Sequence, residues 1–131
     1  MNQKLTPILD VIAEGGNSKV RVPKYNRSDL SIGLAHIGVG NFHRAHQIVY
    51  LDDLHDKRSD QKAWGSLGIG LMETKGSLER ANAMAAQNCN YTLTEYNPNG
   101  TIETRVLSSI LDYCFGPKNP AEVIKRLTDP A

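Results

Sequence analysis

Gly38 and Gly40 stand one residue apart, at the end of the apolar run Leu34 to Ile37 and directly before a run with helical periodicity. Lacking a Cβ, such a pair lets the chain turn sharply out of a strand and bring its backbone close to whatever lies above the turn. The arrangement argues for a strand–turn–helix unit and so for an α/β sheet with parallel strands. The flanks agree. Ser31 to Ile37 reads as a strand covered on both faces. The residues from about Asn41 to His55 read as a helix, with Phe42, Ala45, Val49 and Leu54 near one stripe and Ile48 beside it.

The rest of the chain continues this alternation. A second strand is expected from Trp64 to about Glu73, then a helix from Leu78 to about Asn88 with Ser77 as its cap. Tyr91 to Glu95 has strand composition, Asn97-Pro-Asn-Gly100 is a turn, and Ile102 to Leu107 suits a partner strand. Asn119 and Pro120 open a last helix as cap and first residue; Val123, Ile124 and Leu127 form its apolar face, and Asp129-Pro130 ends it. The order is β-α-β-α-β-β-α, with one local antiparallel pair at the Asn97 turn. Residues 1–29 are broken by Pro7, Gly15, Gly16 and Pro23. They read as an arm with a short helix at Ile8 to Ile12, outside the sheet.

A glycine pair in this setting suits a pyrophosphate, which can meet backbone N–H groups and the positive end of the following helix. The third glycine of the G-x-G-x-x-G pattern is replaced by His43. A side chain there demands a wider gap between helix and strand, or a role facing the ligand. An acid after the second strand would hold ribose hydroxyls, and Glu73 is the candidate. It lies 33 residues after Gly40 (73 − 40), against about 20 in the usual pattern, and the polar loop Lys57 to Lys62 accounts for the excess. On spacing alone, a tight turn of any α/β protein remains the alternative.

Other classes are poorly supported. With 40% hydrophobic and 22% charged residues and a net charge of +1, the chain is an ordinary globular one with no call for nucleic acid or an anionic membrane as partner. No apolar stretch reaches the ~20 residues needed to span a bilayer, and the residues Met1 to Pro7 lack the apolar run of a signal peptide. Cys89 and Cys114 show neither metal-ligand nor disulfide patterning, which suggests a reduced, cytoplasmic protein. His43 and His46 share a helix face without an acidic or thiol partner, so no metal is expected. His36 reads as a hydrogen-bonded core histidine, Asp52 and Asp53 as surface charge, and Trp64 and Tyr91 as core or rim residues. Arg44 could reach a phosphate as a forked donor or lie on a solvated helix face.

The stretch Ile37-Gly-Val-Gly-Asn-Phe-His-Arg-Ala-His-Gln47 resembles the N-terminal signature of the mannitol dehydrogenase family, the polyol-specific long-chain dehydrogenases and reductases. The likeness continues through Tyr50 to Leu54, Trp64-Gly65, Gly68 to Leu71, Tyr91 to Leu93, Arg105 to Ile110 and Asp112-Tyr113. Within the family the chain looks more like the mannitol-oxidising members than the sugar-acid reductases of the fructuronate type, which are the alternative.

The resemblance implies an α/β fold of Rossmann type, here a partial dinucleotide-binding domain, mainly parallel with a local antiparallel pair. It implies a metal-independent enzyme that moves hydride between NAD and a polyol, giving a ketose. Ile37, Gly38, Val39, Gly40, Asn41, Phe42, His43 and Arg44 would form the phosphate turn, with Phe42 and His43 beside the cofactor. Glu73 would sit near the adenosine ribose and favour NAD; Thr74 and Lys75 stand where the family often has a second acid, which leaves NADP open. The family's catalytic lysine, asparagine and histidine lie in a later helical domain, so no catalytic residue is assigned. The expected organisation is an arm over 1–29 and an incomplete NAD-binding domain over 30–131, with the catalytic domain absent. Such a chain would be inactive alone, whether as a fragment or as a non-catalytic nucleotide-binding remnant.

Overall fold

The computed structural model describes residues 7–130. The elements are α1 (Ile8–Ala13), β1 (Val20–Arg21), a turn of 3-10 helix (Arg27–Asp29), β2 (Ile32–Ile37), α2 (Asn41–Ala45), α3 (Gln47–Lys57), β3 (Gly65–Gly70), α4 (Lys75–Ala86), β4 (Tyr91–Tyr96), β5 (Ile102–Leu107), β6 (Ile110–Phe115) and α5 (Pro120–Thr128). They form two three-stranded sheets, in the orders β2-β3-β6 and β1-β5-β4. The first is parallel throughout; the second holds one antiparallel pair, β4 with β5. The α/β class with its local antiparallel hairpin is as the sequence predicts.

In the parallel sheet β3 is central. Ala35 and Ile37 on β2 register with Leu67 and Ile69 on β3 and so share a face. On that face Leu67 and Ile69 pack with Cys114 of β6 and Val123 of α5. On the other face, Ile48 of α3, Met84 of α4, Leu107 of β5 and Ile110 of β6 form the larger core, together with Val39, Cys89 and Tyr91. Gly68 and Gly70 have no room for a side chain: a Cβ would meet Val39 and Tyr113 at the first and the Tyr113 hydroxyl at the second.

Several boundaries differ from the sequence expectation. The arm is not wholly outside the sheets, because Val20 and Arg21 pair in parallel with Thr104 and Arg105. The strand after the polar loop ends at Gly70, not at Glu73, and α4 is capped by Thr74, whose Oγ1 accepts from the Ser77 amide. The single expected helix 41–55 is broken at His46, where φ −126° and ψ −77° leave the helical region. The break rotates the second half, so the buried stripe of α3 is Ile48, Asp52 and His55, while Phe42 is 78% exposed. On α5 only Val123 is buried; Ile124 and Leu127 face outward. Strand β6 has no counterpart in the sequence reading.

Only Ser108 and Ser109 separate β5 from β6, yet the two strands belong to different sheets. Buried backbone at this corner must find partners outside the ladders, and two charged side chains supply them. Asp52 Oδ1 accepts from the amides of Ser108 (3.0 Å) and Ser109 (2.9 Å), the Ser109 hydroxyl (2.6 Å) and the Tyr25 hydroxyl (2.8 Å). Arg27 donates through Nε to the Ser108 carbonyl at 2.9 Å and through Nη2 to those of Ile110 (2.9 Å) and Leu111 (3.3 Å).

Arg27 also donates to the carbonyl of Asn88 at 2.8 Å. Asn88 and Cys89 hold left-handed φ values of 49° and 60°, which cost non-glycine residues ~1 kcal/mol or more each unless their surroundings hold them. Arg27→Ala is therefore expected to lower stability by about 2–3 kcal/mol, since it orphans several carbonyls at once. Urea unfolding followed by circular dichroism checks this, and a change within 0.5 kcal/mol (the ordinary scale of a neutral surface substitution) would count against the assignment.

Candidate functional site: the turn after β2

Strand β2 ends at Ile37, and the chain turns through Gly38, Val39 and Gly40 into α2. Gly38 has φ +93°, a conformation that favours glycine. Its amide donates to the Ile69 carbonyl of β3 at 2.8 Å, which ties the turn to the neighbouring strand. A Cβ built on Gly38 or on Gly40 meets nothing within 4 Å, so both glycines face open space. Val39, between them, is 2% exposed and anchors the turn in the larger core.

Because β2 and β3 are parallel neighbours, their C-terminal ends emerge together. Glu73 follows the end of β3, exposed, just before α4. The turn and the acid thus lie at the same edge of the sheet, where open α/β sheets hold their ligands.

The charge at the turn comes from Arg44. With only five residues, α2 offers little dipole, contrary to the long helix expected behind the glycines. The Arg44 guanidinium instead folds back over the turn, donating to Asn41 Oδ1 at 2.6 Å and to the Gly40 carbonyl at 3.4 Å. It lies 5.7 Å from the centre of the Tyr91 ring, and the Tyr91 hydroxyl donates to the Arg44 carbonyl at 2.7 Å. Arg44 is therefore a held, half-buried cation, and Tyr91 is a support that the sequence shows only as a core or rim residue.

His43 stands where a third glycine is usual. Its ring is 4% exposed and stacks on His36 of β2, with centroids 3.7 Å apart and planes at 21°. The ring lies buried between α2 and β2. Burial, with His36 beside it, pushes the His43 pKa down to about 4. His36 is not the hydrogen-bonded core histidine expected, since its Nδ1 is buried without a partner. Phe42 is exposed and stacks on His46 at 4.2 Å. Among the described residues no group of three or more His, Cys, Asp or Glu could hold a metal ion.

Asp52, expected at the surface, is fully buried. It meets Arg105 at 4.0 Å, and Arg105 pairs with Asp53 at 2.8 Å. His55 Nδ1 lies 2.9 Å from Ser109 Oγ. Since that hydroxyl donates to Asp52, the histidine nitrogen is the donor to Ser109. This serine donates its hydrogen bond to a carboxylate and is buried, so the Asp52–Ser109–His55 chain is a structural network and not a nucleophile with its base.

The model of the mannitol dehydrogenase Rossmann domain matches residues 32–131. A polyol:NADP oxidoreductase of Gluconobacter oxydans is 37% identical over 114 residues, covering 87% of this chain and 23% of that protein. The crystal structure of D-sorbitol dehydrogenase in substrate-free form superposes with a TM-score of 0.83 at 32% identity, over 97% of this chain and 25% of that one. The Pseudomonas fluorescens mannitol 2-dehydrogenase, in a ternary complex with NAD and D-mannitol, gives 0.78 at 32% identity over 87% and 23%. The chain thus spans about a quarter of the length of the relatives it matches.

Proposed function

The chain belongs to the mannitol dehydrogenase family, whose Rossmann domain it carries over residues 32–131, and from that premise we propose that it is the NAD-binding portion of a polyol dehydrogenase. The observation that carries the reading is the turn itself: two glycines with open space above them, at the C-terminal end of parallel strands, beneath a held arginine. These residues fit a dinucleotide. The backbone of residues 38–41 would approach the pyrophosphate, Arg44 would supply the positive charge, and Glu73 would accept from the ribose hydroxyls. Ile37 and Phe42, both exposed, would border the cofactor, while Val39 and His43 would shape the turn from behind.

Bound at this turn, NAD would supply the acceptor or donor of the hydride. This domain's part is to hold it at the sheet edge, and no described residue is assigned to the hydride transfer. The substrate class is a polyol such as mannitol, oxidised to its ketose, as the names of the relatives suggest. Cys89 and Cys114 are both free and buried, which suits a reducing compartment such as the cytoplasm. Among the described residues no helix is long and apolar enough to cross a membrane.

The test is titration with NADH and then NADPH, followed by energy transfer from Trp64, on protein shown to be folded by circular dichroism. Saturable binding, tighter for NADH, is the expected result, because an exposed acid repels a ribose phosphate. Equal or tighter binding of NADPH would transfer control to Lys75, whose side chain is 91% exposed. A folded sample that binds neither would end the cofactor reading.

A further inference from the structure

We propose that His36 is a positioning residue for the dinucleotide turn: stacked on His43, it sets the distance between α2 and β2 that a third glycine sets elsewhere. The proposal rests on the reading of residues 37–44 as the cofactor turn and adds to it a residue that does not itself face the ligand.

His43 is 4% exposed and both its ring nitrogens lack hydrogen-bond partners, as does Nδ1 of His36. Unpaired buried polar atoms are costly, so this pair needs a compensating role. The rings lie nearly parallel at 3.7 Å, a contact that fixes both distance and angle between the strand and the helix. His36 registers with Gly68 on β3, so β3 presents no side chain beside it. The two histidines thus occupy the gap between α2 and the sheet directly behind the glycines. Whatever moves His43 moves Phe42 and Arg44 with it.

A proton on His43 would put an unpaired cation in a buried gap. The charged or titratable groups acting on His43 are His36 from β2 and Arg44 from α2, and both oppose a charge on it. Gln47 of α3 is the one neighbour that favours a charge on His43 and it is outweighed; no carboxylate stands among these neighbours to stabilise a cation. Burial with this surrounding holds His43 neutral down to about pH 4. The folded value lies below the ordinary histidine value of 6.5, so the unfolded chain binds more protons between the two. The contribution of His43 to stability is therefore complete above pH 6.5 and fades as the pH falls toward 4.

Two variants separate the spacer from a mere core contact. His36→Phe keeps an aromatic face against His43, and His36→Ala removes it. The first readout is the titration of the His43 ring by NMR, which needs no ligand. The second is NADH affinity at neutral pH, on samples whose circular dichroism matches the parent.

In the parent and in His36→Phe the His43 ring should stay neutral to near pH 4–5. In His36→Ala the His43 value should rise toward the ordinary histidine value as water reaches the ring. NADH affinity should fall roughly tenfold in His36→Ala, about 1.4 kcal/mol, and recover in His36→Phe. Unchanged His43 titration and unchanged affinity in His36→Ala would overturn the proposal, as would failure of phenylalanine to restore affinity. A parent protein that binds no NADH would overturn the cofactor reading and with it the positioning role, even if the ring titration moved as expected.

Discussion

Asp52→Ala is expected to cost about 3–5 kcal/mol, a large share of the 5–15 kcal/mol that holds a domain of this size. One carboxylate oxygen accepts from two backbone amides and two hydroxyls at the corner where the chain leaves one sheet for the other. Alanine orphans both backbone amides at a site with no exposure and leaves the Tyr25 and Ser109 hydroxyls only each other, and each orphaned donor carries its own desolvation cost. It also leaves Arg105, 8% exposed, with Asp53 as its remaining acid.

Asp52→Asn should behave differently, because the amide oxygen accepts the same hydrogen bonds. Burial raises the Asp52 pKa against the lowering effect of its donors, so keeping the charge there carries a desolvation burden. The folded state therefore binds a proton more readily than the unfolded chain, and this residue's contribution declines as the pH rises through its raised value. Asparagine removes that burden. A loss under ~1.5 kcal/mol, with weaker pH dependence above the usual carboxylate range, is the expected outcome in urea unfolding at several pH values. Equal losses for both substitutions would mean that the charge itself, through Arg105, matters more than the hydrogen bonds.

This buried acid also marks what the sequence could and could not disclose. The glycine turn, the hairpin at Asn97 to Gly100 and the Asn119 cap of α5 are local signals. Each depends on residues within a few positions of one another, and each appears where expected. Asp52 was hidden because its partners lie 27 to 57 positions away along the chain. Its only local trace is the spacing of Ile48, Asp52 and His55 on one face of α3. That phase could be read only after the helix was known to break at His46.

Strand β6 was hidden for a related reason. Two serines are too short a connection to announce a change of sheet, and the corner exists because Asp52 and Arg27 reach it from distant segments. At the candidate site, the turn was legible because two closely spaced glycines between a strand and a helix are a local signal, and at Gly38 the backbone conformation favours glycine. His36 was not, since a histidine inside a strand carries no sign of the ring it will meet seven residues later.

The glycine turn offers the sharpest separation of function from stability. Gly40 has φ −87° and ψ −174°, values any residue adopts, and a Cβ there meets no atom within 4 Å. Gly40→Val should therefore leave the urea midpoint almost unchanged, within the ~0.5 kcal/mol of an ordinary surface substitution. The same empty space is where a pyrophosphate would rest against the backbone. Filling it with a branched side chain should weaken NADH binding by at least about a hundredfold, ~2.7 kcal/mol.

Gly38→Ala supplies the contrast. Its Cβ would also point into open space, but φ +93° imposes strain of about 1–2 kcal/mol on alanine. Stability and affinity should then fall together. If Gly40→Val bound NADH like the parent, the phosphates would have to lie elsewhere than on this turn. If it unfolded the protein, the open space above Gly40 would be an incorrect description of the fold. Only a folded protein that has lost the dinucleotide matches a turn left free of side chains for a ligand's sake.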